Sequence, residues 1–120
     1  MHEKETVLII DDDPAHLRIY GWIMESAGYR ALPVEVRYAG IVLPDEHADL
    51  VLLDYNLAGK STAVEIAKLV HSRLSGVPIV LLSDRWDVPQ DIAPFVQGFV
   101  RKGEPAKLVA TLHKLLQPSP

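Results

Sequence analysis

Val7-Leu8-Ile9-Ile10-Asp11-Asp12-Asp13-Pro14 is a run of four apolar residues that stops in three carboxylates and a proline. Unbroken Val, Ile and Leu, without polar alternation, indicate a strand covered on both faces, the habit of parallel sheets. Neighbouring acids repel one another, and gathering them at the end of a buried strand is costly unless a counter-cation offsets the charge. A helix cap ahead of Pro14 would use only one of the three. Two readings stand at this point, a cation site and a plain acidic N-cap.

The same kind of apolar run recurs along the chain. Strands are predicted at Thr6–Ile10, Ala31–Val34, Leu50–Leu53, Ile79–Leu82 and Gly98–Val100, with helical segments between them. That βα alternation predicts a three-layer α/β sandwich. The first helix is delimited by Asp13 as N-cap, Pro14 at its first position and Gly28 after Ala27. A second, short helix is expected near Val36–Leu43, before the loop Pro44–His47. Thr62-Ala63-Val64-Glu65 is a capping-box pattern, opening a third helix that runs to about Leu74. Asp87–Val96 carries Pro89 and Pro94, so a fourth helix there is expected to be short or distorted. In the last helix, opened by Pro105, Leu108, Leu112, Leu115 and Leu116 form one apolar stripe.

With 120 residues, 48% of them apolar, the chain fits one domain over 1–120, with a polar tail at 1–5 and a terminus or linker stub at 117–120. The net charge of −4 argues against a nucleic-acid surface, which needs clustered Lys and Arg. There is no cysteine, so disulfides and thiolate metal sites are excluded. The five histidines lack metal-ligand spacing and read as surface residues. No apolar run approaches the roughly 18 to 20 residues of a membrane span. A cytoplasmic protein is expected.

In a parallel α/β sheet the residues that follow successive strands meet on one edge, where ligands bind at the switch in strand order. Strand one delivers Asp11 and Asp12 there, strand three Asp54, strand four Ser83 and strand five Lys102. Three carboxylates, a hydroxyl and an ammonium would converge. On these residues, with Asp13-Pro14, Asp49-Leu50-Val51-Leu52-Leu53-Asp54 and Phe99 three residues ahead of Lys102, the chain resembles the receiver domain of two-component response regulators over nearly its full length. The resemblance implies a flavodoxin-like three-layer α/β/α sandwich with a five-stranded parallel sheet of order 2-1-3-4-5. It further implies Asp54 as the acceptor of a phosphoryl group from phosphohistidine. Mg2+ would be bound by Asp11, Asp12, Asp54 and the backbone carbonyl of Asn56; Lys102 would contact phosphoryl oxygens. Ser83 and Phe99 would form the switch. The implied partners are a histidine kinase or histidine phosphotransfer protein and a downstream protein or output domain. Beyond its own phosphorylation and dephosphorylation, no enzyme activity is expected.

The pattern is broken in places. The loop Tyr55-Asn56-Leu57-Ala58-Gly59-Lys60-Ser61-Thr62 lacks the family's usual Pro-Gly and Met-Asp-Gly. Asp84 stands where a small residue is usual, near the expected phosphate, and Gly103 replaces the proline that usually follows Lys102. Two other functions compete: a receiver-like binding module that acts without phosphorylation, and a haloacid-dehalogenase-type phosphatase, in which Asp11 would be the nucleophile. The second leaves Asp54 without a role.

Overall fold

The computed structural model describes residues 4–57 and 62–117. The expectations for Ala58–Ser61 and for the outermost tail residues lie outside them. Five strands, β1 (Thr6–Asp11), β2 (Arg30–Glu35), β3 (Leu50–Asp54), β4 (Ile79–Ser83) and β5 (Gly98–Arg101), form one sheet in the order β2-β1-β3-β4-β5. Every pairing is parallel. Three α-helices, α1 (Pro14–Ser26), α2 (Ala63–Arg73) and α3 (Pro105–Leu116), cover its two faces. The predicted flavodoxin-like order is therefore the observed one.

Alternate residues of the central strands feed two separate cores, as the two-residue period of a strand requires. Leu8, Ile10, Val51, Leu53, Ile79 and Leu81 pack on the side of α2, against Ala63, Ile66, Ala67 and Val70. Val7, Ile9, Leu50, Leu52, Val80 and Leu82 face the other way, toward Leu17 and Met24 of α1 and Leu108 and Leu112 of α3. Both faces are thus buried, which explains why these strands are apolar without alternation. Pro33 sits on the edge strand β2, where a missing backbone donor is tolerated.

The helix starts are read correctly from sequence. Asp13 caps α1 by accepting the Ala15 N–H at 2.8 Å. Thr62 and Glu65 complete the capping box of α2, the Thr62 hydroxyl accepting the Glu65 N–H at 3.2 Å. Gly28 ends the α1 turn at φ +96°, a conformation that disfavours side chains with a Cβ. At Gly98 the need is steric. A Cβ there would lie 3.1 Å from Val80 Cγ2, 3.2 Å from Thr111 Cγ2 and 3.3 Å from Leu115 Cδ1, so α3 approaches β5 as closely as a missing side chain allows.

Two expectations are corrected or sharpened. The helix expected at Val36–Leu43 is absent. Arg37 and Gly40 exchange backbone hydrogen bonds of 3.0 and 2.9 Å in a tight turn, with Gly40 at φ +133°. Without a capping residue, and with Gly40 followed by β-branched Ile41 and Val42, the turn prevails over the helix. Ile41 and Leu43 still pack on the α2-side core. The fourth helix is reduced to a 3-10 turn at Ala93–Phe95, preceded by a turn in which Ile92 N–H and Ala93 N–H both donate to the Pro89 carbonyl. Ile92 is fully buried there and takes over the covering role of a longer helix.

Candidate functional site

Asp11 closes β1 and is 1% exposed; Asp54 closes β3 and is 2% exposed. Because β1 and β3 are neighbours in register, the two carboxylates face each other at the sheet's carboxyl edge. One oxygen of Asp11, Oδ1, accepts the Asp13 N–H at 3.0 Å. The other, Oδ2, is buried and has no hydrogen-bond partner. Burial, then the Asp54 charge and the neighbouring Asp12 carboxyl, push the Asp11 pKa up to about 6 against the opposing Asp13 N–H and His16. A buried carboxylate oxygen without a donor, opposite a second carboxylate, is what a hard divalent cation would satisfy.

Asp54 is held from the opposite side. Its Oδ1 accepts the Asn56 N–H at 3.0 Å and lies 2.9 Å from Lys102 Nζ. Two donors on one oxygen fix the plane of the carboxylate. Burial alone would lower the Lys102 pKa, but the Asp54 hydrogen bond and charge, with Asp84 and Asp11, raise it instead. The ammonium is therefore fully charged at neutral pH. Its backbone is anchored by a Lys102 N–H bond to the Ser83 carbonyl at 2.9 Å. Ser83, the last residue of β4, is fully buried, and its Oγ accepts the Arg85 N–H at 3.1 Å. A serine hydroxyl that accepts one hydrogen bond can donate another.

Asp12 is half-buried and lines a cleft with Tyr55, Asn56, Thr62 and Asp91 beside this pair. Asn56 is exposed in the same cleft. The Tyr55 hydroxyl donates to Asp91 at 3.2 Å, tying the loop after β3 to the turn that replaces the fourth helix. Phe99 is half-buried in β5, opposite Leu81, and packs on the α2-side core with Ile92 and Phe95. Asp84 is exposed, yet its charge reaches Lys102 and Tyr20.

Three neighbours escaped the sequence reading. His16, expected on the surface, is half-buried in the first turn of α1, with Nδ1 3.5 Å from Asp11 Oδ2 and Nε2 3.5 Å from Asp13 Oδ2. Its signal was its place three residues after Asp13, one helical turn above the acids. Tyr20, a turn further on, is raised in pKa by burial and by Asp11, Asp54 and Asp84, against Lys102. Arg101 stacks on Trp86, the guanidinium carbon 3.5 Å from the indole centroid, and its buried Nε has no partner. Trp86 is 82% exposed. Ligand atoms of Asp11, His16 and Asp54 all lie within 4.8 Å of one another, close enough to share a metal ion.

No family model matches the chain. It is 31% identical over 98 residues to the transcriptional regulatory protein GlrR of Escherichia coli, a match that takes in 81% of this chain and 22% of that protein. Identity is also 31% over 120 residues with the phosphate regulon transcriptional regulatory protein PhoB of Pseudomonas aeruginosa, covering 94% of this chain and 52% of that one. The chain thus spans about half, or less, of the length of these curated relatives. Among solved structures, the response regulator TrrA of Thermotoga maritima, in complex with Mg2+ and BeF, superposes with a TM-score of 0.78. The identity is 21%, over 93% of this chain and 99% of that one.

Proposed function

We propose that this chain is a receiver domain of the two-component response-regulator type, acting as a single phosphorylation-controlled module that takes a phosphoryl group onto Asp54. The observation that carries the proposal is the seating of Asp54: buried, fixed by the Asn56 N–H and the Lys102 ammonium, and facing Asp11. The donor is a phosphohistidine on a histidine kinase or phosphotransfer protein. An Asp54 oxygen forms a bond to phosphorus as the bond from phosphorus to the donor's ring nitrogen breaks; the imidazole leaves with that electron pair and takes up a proton. No net redox change occurs.

Asp11, Asp12, Asp54 and the Asn56 carbonyl would hold Mg2+, for which the partnerless Asp11 Oδ2 is a fitting ligand. Bound there, the ion supplies charge neutralisation between carboxylate and phosphoryl group and helps align them. Lys102 moves its charge from Asp54 to a phosphoryl oxygen, and the Ser83 hydroxyl donates to another. Drawing Ser83 inward shifts the loop that starts at Asp84, and Phe99, packed beside Leu81 and Ile92, follows into the vacated space. The surface read by a downstream protein or output domain then changes. We place this activity in the cytoplasm; none of the helices among the described residues is long and apolar enough to cross a membrane. Neither the phosphorylation-independent module nor the phosphatase is favoured, since both leave the Lys102–Asp54 pair without a task.

Trp86 fluorescence, read during titration with Mg2+ and then beryllofluoride, tests the assignment. The wild-type chain should respond to the phosphoryl mimic and Asp54→Asn should not. Equal responses would overturn Asp54 as the acceptor.

A further inference from the structure

We propose that His16 is a direct ligand of the cation at this site, through Nδ1, so that the site prefers late first-row divalent ions over Mg2+ more strongly than an all-oxygen site does. The inference rests on the cation-assisted receiver reading above, and goes beyond it in naming a ligand outside the strand-end residues. Three observations support it. One ligand atom each from Asp11, His16 and Asp54 falls within a 4.8 Å cluster. Asp11 Oδ2, 1% exposed as a side chain, has no hydrogen-bond partner, and His16 Nδ1 stands 3.5 Å from it, itself buried and without one. Ligands at about 2.1 Å from a divalent ion sit roughly 3 to 4 Å apart, so small side-chain rotations suffice to bring these atoms onto one ion.

The third observation is the far side of the ring. His16 Nε2 lies 3.5 Å from Asp13 Oδ2. A metal-bound histidine commonly turns its second nitrogen to a carboxylate, which fixes the tautomer and orients the lone pair. With the proton on Nε2, facing Asp13, the Nδ1 lone pair is presented to Asp11 and Asp54. Asp13 thus serves two purposes, capping α1 through Oδ1 and orienting His16 through Oδ2. The helix geometry makes this possible, because positions i and i+3 share a face.

Carboxylate and carbonyl oxygens suit Mg2+, whereas an imidazole nitrogen adds affinity for Co2+ and Ni2+. The test is direct binding, by calorimetry, of Mg2+, Co2+ and Ni2+ to the wild-type chain, to His16→Ala and to His16→Leu, with visible absorption of the Co2+ forms. Loss of the imidazole should cut the ratio of Ni2+ to Mg2+ affinity about tenfold or more and alter the Co2+ spectrum. Asp13→Asn should produce a smaller fall in the same ratio. Unchanged ratios and spectra in both His16 variants would overturn the inference. The two proposals fail separately. A beryllofluoride response with an unchanged metal ratio removes His16 alone, while a response that survives Asp54→Asn removes the receiver assignment whatever His16 does.

Discussion

Asp11 shows what the site costs the free protein. A carboxylate that is 1% exposed, with one oxygen lacking a donor and Asp54 opposite it, is held at the expense of stability. Asn at this position keeps an oxygen for the Asp13 N–H and removes the charge. In chelator at pH 7.5, Asp11→Asn should therefore raise stability by about 1 to 3 kcal/mol, measured by urea unfolding. Since the folded-state pKa is raised above the unfolded value, the wild-type penalty builds as pH climbs from the ordinary carboxylate value of 3.8 to about 6 and is complete above that. The gain should shrink toward zero near pH 4, and a gain of equal size at both pH values would show that charge is not its source. Asp49, at the opposite edge of the sheet, has the reverse sign. Burial raises its pKa, but the Thr6 N–H at 2.7 Å and His47 at 2.9 Å outweigh that and lower it. Its contribution is present above the unfolded carboxylate value and disappears as pH falls through the lower folded one. Asp49→Asn should flatten the acid limb of a stability profile below about pH 4 while leaving the limb above pH 6 unchanged. The strand-end residues Asp11, Asp54, Ser83 and Lys102 were legible in sequence because a parallel sheet brings strand ends together. His16 left only its i, i+3 spacing from Asp13, and Tyr20 and Arg101 left nothing, because their roles depend on which way a helix face or a strand end turns.

Elements were legible where local signals and tertiary demands agreed. All five strands were placed to within a residue at each end; β1, β3 and β4 were plainest, because a strand covered on both faces writes itself as uninterrupted Val, Ile and Leu. The segment Val36–Leu43 was not, because apolar residues that plug a core from a loop have the same composition as those on a short helix. Ile41 and Leu43 are such plugs. Where an element is fixed by contact, small changes should show it. Gly98→Ala would press a methyl group to within 3.1 to 3.3 Å of Val80, Thr111 and Leu115. The crowding should cost about 1 to 3 kcal/mol in chemical denaturation, with α3 amides exchanging faster than those of α2. Unaltered stability would mean that α3 slides away from β5 freely. Thr62→Ala, which removes one arm of the α2 capping box, should cost about 1 kcal/mol. Thr62→Ser should restore most of it, because Ser presents the same hydroxyl to the Glu65 N–H.

The whole molecule couples these scales through one sheet edge. Two facing carboxylates lower the stability of the cation-free chain, and the Lys102 ammonium compensates only Asp54, at 2.9 Å. A cation that binds the folded site and not the unfolded chain must therefore stabilise the fold, since Asp11 and Asp54 end β1 and β3, two paired strands inside the five-stranded sheet. At a free concentration one hundred times its dissociation constant, such an ion adds about 2.7 kcal/mol. For a chain of this size that corresponds to roughly a 10 °C rise in Tm. We expect Mg2+ to give a shift of that order in the wild type, reduced to a few degrees in Asp54→Asn and in Asp11→Asn. The two variants separate contributions that the wild type combines. Asp11→Asn should start from a higher cation-free Tm and gain little, having lost the penalty together with the ligand. In Asp54→Asn the Lys102 ammonium loses its charged partner as well, so its cation-free Tm should not rise to the same degree. Calorimetric scans at matched ionic strength, with KCl replacing MgCl2, isolate site binding from general screening. If both variants kept the full wild-type shift, the cation would be acting elsewhere on the surface, and the pairing of Asp11 with Asp54 at the end of β1 and β3 would not be a metal site.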